Sequence, residues 1–286
     1  MSEKKKKKTI VIAFVNHKGG VAKTTSVVNL STLFGKYGLR TLVCDTDAQA
    51  NSCYHLGGDR PTSIKVRLEH VLENNTLIAE AIHPTRHENV SVIYSSLSLN
   101  PVADKLQLGS VLPAGELRLA LEPVMADFDV ILIDCPPDVR LMTSAAIAAS
   151  THIIIPVLSG DMYGVEGLAD MLKHIEKLKM ATNPDLEILG ALISGQDDRE
   201  TVSKASTSLI KRFMNDRVIP VRIRVSTKIK QGIMKRKTIQ EMDSGSKSAR
   251  DFRALAKYII QETGLADRCN IPAEAPDLEA SEAANG

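Results

Sequence analysis

Residues 10–25 read Ile-Val-Ile-Ala-Phe-Val-Asn-His-Lys-Gly-Gly-Val-Ala-Lys-Thr-Thr, and helix-forming sequence follows. An apolar run, a turn rich in glycine and a helix make the setting that a phosphate cradle requires. Gly19 and Gly20 let the backbone come close to an anion. The amides of Val21, Ala22 and Thr25 complete the ring of N–H donors at the positive end of the following helix. Lys23 would neutralise the outer phosphates of a nucleotide, and the Thr24 hydroxyl would enter the shell of a divalent cation. The plain pattern of two glycines around four residues is broken, however. His17 stands where the first glycine belongs, and Ala22 where the second does.

Outward from this stretch, short runs rich in β-branched residues recur at 10–15, 41–45, 90–94, 130–134, 153–157 and 186–193. Most are continuously apolar, which predicts parallel strands buried on both faces. Helix-length segments separate them, the clearest at 23–37, 141–149, 164–179, 201–213 and 246–262. Strand and helix in alternation predict an α/β fold, a doubly wound and mostly parallel sheet flanked by helices, with ligands at the carboxyl ends of its strands.

Two of these strands end in carboxylates. Residues 42–51 read Leu-Val-Cys-Asp-Thr-Asp-Ala-Gln-Ala-Asn, so Asp45 and Asp47 lie two apart on one side of an extended chain. Residues 130–137 read Val-Ile-Leu-Ile-Asp-Cys-Pro-Pro, an apolar strand that ends in Asp134. Together the three segments resemble the deviant Walker A group of P-loop (SIMIBI-like) proteins, the ParA/MinD family. The usual form there is KGGxGKTT, with a second lysine five residues before the first, as Lys18 is here. The DTDAQAN segment is similar to the family's DxDPQxN, with Ala48 in place of proline, and DCPP to its DxPP. Residues 163–168, Asp197-Asp198-Arg199 and Ile219-Pro220-Val221-Arg222 match later landmarks, so the likeness covers roughly 9–262.

The resemblance implies ATP and Mg²⁺ as ligands and a slow ATPase stimulated by a partner. Lys18 would reach the nucleotide of a second copy and make the ATP state a homodimer. Asp47 would orient the attacking water, Asp45 and Asp134 would support the metal with Thr24, and Pro220 would border the nucleotide. From Arg199 to Arg253 fifteen Lys and Arg face five Asp and Glu. The charges gather at Arg199, Arg222, Arg224, Lys228, Lys230, Lys235, Arg236, Lys237, Lys247 and Arg250. Such a face binds phosphate backbones with little sequence preference, and in this family the region carries non-specific DNA binding. With 3% aromatic residues and no tryptophan, stacking on single strands would not dominate. The implied role is to partition or position a plasmid, a chromosome or a large protein assembly through a ParB-like adaptor, on the nucleoid in the cytoplasm.

At 286 residues and 43% hydrophobic, the chain fits one large domain. The reading divides it into a basic arm at 1–8, an ATPase domain at 9–265 and an acidic, structureless tail at 266–286. No apolar run approaches the ~18 residues of a membrane span, and no membrane partner is expected. The membrane-surface alternative, similar to MinD, lacks its amphipathic terminal helix here. A cluster-bearing redox ATPase would need paired cysteines, and Cys44, Cys53, Cys135 and Cys269 are scattered. A scaffold with a dead site is opposed by Lys23, Thr24, Asp47 and Asp134. Nothing in the chain names its cargo.

Overall fold

The computed structural model describes residues 8–74, 76–197, 201–214 and 217–272. Eight strands form one sheet in the order β3-β4-β2-β5-β1-β6-β7-β8. They are β1 (Ile10–Phe14), β2 (Thr41–Asp45), β3 (Ile82–Pro84), β4 (Val90–Ile93), β5 (Val130–Asp134), β6 (His152–Leu158), β7 (Glu187–Gln196) and β8 (Ile223–Arg224). All neighbours are parallel except β3, which pairs antiparallel with β4 at the edge. The α/β, mostly parallel sheet read from the sequence is therefore the observed one. β3 was not foreseen, because its three residues include Pro84 and one polar side chain and carry no apolar run.

Every residue of β1, β2 and β5 is buried, which is why their sequences are apolar without alternation. Each fully buried Ile, Val or Leu contributes roughly 1.5–3 kcal/mol of transfer free energy. Two apolar layers clothe the sheet. One face is covered by α3 (Leu68–Asn74), α5 (Glu116–Leu121), α6 (Leu141–Ala149), α7 (Met162–Thr182) and α8 (Thr201–Phe213). The other is covered by α1 (Lys23–Lys36), α2 (Asn51–Gly57), α10 (Ile239–Asp243) and α11 (Lys247–Glu262). Two further helices, α4 (Leu99–Gly109) and α9 (Thr227–Lys235), complete the described set. The packed chain runs past residue 265, since Ile271 rests on the second layer and the Asn270 amide donates to the Tyr37 carbonyl at 2.7 Å.

The register fixes where chemistry can occur. Phe14 of β1 and Asp45 of β2 both align with Asp134 of β5. The three central strands thus end level, and the loops that leave them share one edge of the sheet.

Candidate nucleotide site

The loop between β1 and α1 is held by its own side chains. Asn16 donates from Nδ2 to the Pro156 carbonyl (2.8 Å), and its Oδ1 accepts from the Lys18 amide (3.0 Å). Lys23 is 7% exposed, and its Nζ donates to the carbonyls of Asn16 (2.9 Å) and Lys18 (3.0 Å). Burial lowers its pKa, opposed by the nearby Cys135, Asp134 and Asp47. Gly20 and Ala22 take left-handed conformations, φ 76° and 72°. For glycine that costs nothing; for alanine it costs about 1 kcal/mol. Ala22 is also the N-cap of α1, which has neither a side-chain cap nor an acidic residue in its first turn. Its first N–H groups are left to an anion.

Below the loop lies a buried carboxylate. Both oxygens of Asp134 are buried and find no hydrogen-bond partner among the described residues. Burial raises its carboxyl to about 7, and the Asp47 charge adds to the rise, while Thr24 and Lys23 pull the other way. An orphaned buried carboxylate beside a threonine hydroxyl is the donor set that a hard cation takes. The residues present therefore fit a divalent ion held by Thr24 and Asp134.

Asp45 is held by donors of the protein itself. Its Oδ1 accepts from the Asp47 amide (3.0 Å), and its Oδ2 accepts from the Ser52 hydroxyl (2.6 Å) and the Ser52 and Cys53 amides (3.1 and 3.3 Å). Both oxygens are thus engaged by protein donors, so Asp45 ties the start of α2 to the loop that carries Asp47. That loop is braced further, since Asp47 Oδ1 accepts from the Gln49 amide (3.0 Å) and Ser95 donates to the Asp47 carbonyl (2.5 Å).

Gly19, Gly20, Ala22, Lys23, Thr24, Thr25 and Asp47 line one cleft of about 510 Å³, closed on the far side by the β8–α9 connection. Val21, in the same loop, is buried. Pro220 is exposed and does not line the cleft; residues 223–226 do, because the chain turns inward only at β8. Lys18 is placed at the mouth, its Nζ paired with Asp161 between β6 and α7. Spacing gave no hint of that partner 143 residues away. His17 leans on α7 at Gly167, where an added Cβ would lie 2.2 Å from the His17 ring, so a side chain there would collide with the ring.

The basic residues divide by what they touch. Lys228, Lys230, Lys235, Lys237 and Lys247 are exposed on or beside α9 and at the start of α11, and Arg222 and Arg250 are half-buried. Arg224 is bonded to the buried Asp251, with Nε to Oδ2 at 3.0 Å. Arg236 lies over the Tyr54 ring (4.9 Å to the centroid) and donates to the Gly58 carbonyl at 2.6 Å. The fold has thus engaged these last two side chains already. Arg199 lies outside the described residues.

A family described as an AAA domain matches residues 9–188. The chain is 32% identical over 253 residues to the sporulation initiation inhibitor protein Soj of Bacillus subtilis, covering 87% of this chain and 97% of Soj. It is 30% identical over 251 residues to the chromosome partitioning protein ParA of Myxococcus xanthus, covering 88% of each. This chain belongs to the ParA/MinD family of P-loop ATPases. Among solved structures, cobyrinic acid a,c-diamide synthase from Mycobacterium smegmatis with bound ADP and magnesium superposes with a TM-score of 0.77 at 26% identity, covering 94% of this chain and all of that one. No described helix is long and apolar enough to cross a membrane.

Proposed function

We propose that this ParA/MinD-family chain binds ATP with Mg²⁺, dimerises around it, associates with double-stranded DNA without sequence preference, and positions a cargo through a ParB-like adaptor that stimulates hydrolysis. The observation that carries the reading is Asp134, buried and unpartnered beneath a loop that holds Lys23, Thr24 and the open N-terminus of α1. Backbone amides of residues 19–25 and Lys23 would hold the phosphates. Thr24 and Asp134 would hold Mg²⁺, which when bound offsets negative charge on the outer phosphates. Asp47, fixed by Asp45 and Ser95, would orient the attacking water. Lys18 would leave Asp161 to reach the nucleotide of the second copy, as an arginine finger does in other phosphoryl-transfer sites.

Names of relatives support the cellular part of this reading. Soj and ParA are the proteins to which it is similar over most of its length, and the latter is named for chromosome partitioning. The exposed lysines of α9 and α11 would meet DNA phosphates on the nucleoid, with the cargo chosen by the adaptor. Equilibrium dialysis with labelled ATP, with and without Mg²⁺, followed by light scattering in ATP and in ADP, tests the proposal. Mg²⁺-dependent ATP binding and a dimer in ATP alone are expected. Binding unaffected by removal of Mg²⁺, or equal mass in ATP and ADP, would overturn it.

A further inference from the structure

A groove of about 580 Å³ lies between α1, α2 and α9. Val28, Tyr54, Ile229, Ile233, Met234 and Ile239 give it an apolar stretch beside polar side chains. Arg236 and Lys237 add cations, and no carboxylate is among its described lining residues. Ile233 is 53% exposed and Met234 87%, so two large apolar side chains of α9 stand in water. Around them residues 227–237 carry Lys228, Lys230, Lys235, Arg236 and Lys237 and no acid, and the four lysines are exposed. DNA phosphates would pair with the lysines and leave Ile233 and Met234 uncovered. This surface matches a partner that is acidic and apolar at once.

We propose that the groove is covered by this chain's own segment 273–286, which lies outside the described residues. It reads Ala-Glu-Ala-Pro-Asp-Leu-Glu-Ala-Ser-Glu-Ala-Ala-Asn-Gly, with four acids and no base. Leu278 stands between Asp277 and Glu279, so an apolar side chain covers Ile233 and Met234 while carboxylates meet lysines on either side. The reach is sufficient. Pro272, the last described residue, is exposed, and the Asn270 amide just before it donates to the Tyr37 carbonyl at the carboxyl end of α1. The groove's α1 residues, Thr24 to Asn29, lie about 12–20 Å back along that helix. Residues 273–278 extend to about 20 Å. A tethered segment within reach acts at an effective concentration in the mM range, so contacts too weak to hold a separate peptide still hold this one. The consequence for DNA rests on the DNA reading of the α9 lysines: the docked segment screens them, and DNA must displace it.

Two measurements on the full chain test this. In the first, a photo-reactive side chain takes the place of Leu278, and the residues it captures are mapped by mass spectrometry at about 0.05 M and about 1 M salt. Capture within 227–239 at low salt, lost at high salt, is expected. Capture elsewhere, or none at low salt, overturns the proposal. In the second, duplex DNA binding is compared for wild type, Met234→Ser, and a chain with Glu274→Gln, Asp277→Asn, Glu279→Gln and Glu282→Gln, each checked for folding by thermal melting. If the segment covers the face for roughly half to nine-tenths of the time, both variants bind DNA about two- to tenfold more tightly at low salt, and the gain vanishes at high salt. Met234→Ser changes no charge, so its gain reports docking and not net charge. A gain confined to the neutralised chain, or none in either variant when the wild type binds DNA, overturns docking in the groove. Capture at α9 in a chain that binds no DNA leaves the docking standing and fails the DNA reading instead.

Discussion

Replacing Asp134 with asparagine should make the nucleotide-free protein more stable. Burial lifts the Asp134 carboxyl from 3.8 to about 7. One pKa unit corresponds to 1.36 kcal/mol, so holding this group ionised inside the fold costs up to roughly 4 kcal/mol. The sign follows from linkage. A carboxyl with a raised folded pKa keeps its proton in the native state, so its penalty is absent below about pH 4, grows through the interval up to 7 and is full above it. Asparagine removes the charge but leaves an amide whose burial costs about 1–3 kcal/mol when unsatisfied. A net gain of about 1–3 kcal/mol is expected at pH 8, or roughly 2–8 °C in Tm for a chain of this size. The assay is thermal and urea denaturation in EDTA at pH 5 and pH 8. The gain should shrink at pH 5. Added Mg²⁺ and ATP should stabilise the wild type and not the variant. A variant less stable than wild type at pH 8, or a gain of the same size at both pH values, would refute the claim that the buried Asp134 charge destabilises the nucleotide-free fold.

Ala22→Gly should stabilise the protein by about 0.5–1 kcal/mol, because φ 72° costs alanine and not glycine; urea midpoints check it, and a loss of stability would show that the loop relaxes elsewhere. Asp47→Ala should bind ATP and dimerise, yet release phosphate at least tenfold more slowly if Asp47 orients the attacking water; unchanged release would remove Asp47 from the chemistry. Lys18→Ala should bind ATP within a few-fold of wild type and fail to form the ATP dimer in light scattering, since its cis contact is only a partly exposed ion pair with Asp161; a normal dimer would end the trans-lysine reading.

The fold was legible where burial leaves a simple trace. β1, β2 and β5 are buried on both faces and so are continuously apolar; β2 ends in Asp45 and β5 in Asp134, and Lys23 opens α1 beyond the loop that leaves β1. α2 to α5 were not foreseen. They are short, and α2, α4 and α5 have no side-chain caps, so their helical signal is weak and packing against the sheet decides them. α10 carries a sign that is readable in the sequence, the capping box of Thr238 and Glu241. Within the site, residue type did not reveal direction. The resemblance assigns Asp45 to the metal shell, and its hydrogen bonds to Ser52 and Cys53 at the start of α2 could not be read from residue type. Asp161 lies in the connection between β6 and α7, and tertiary structure alone brings it to Lys18.

The most direct test of the central claim is binding to random-sequence duplex DNA with ATP, with ADP and without nucleotide, across a salt series. A nucleotide-switched DNA binder should associate with ATP alone, and its affinity should fall linearly in log-log form with salt, steeply enough to report several phosphate contacts. Equal binding in all three nucleotide states, or none with ATP at low salt, would contradict it.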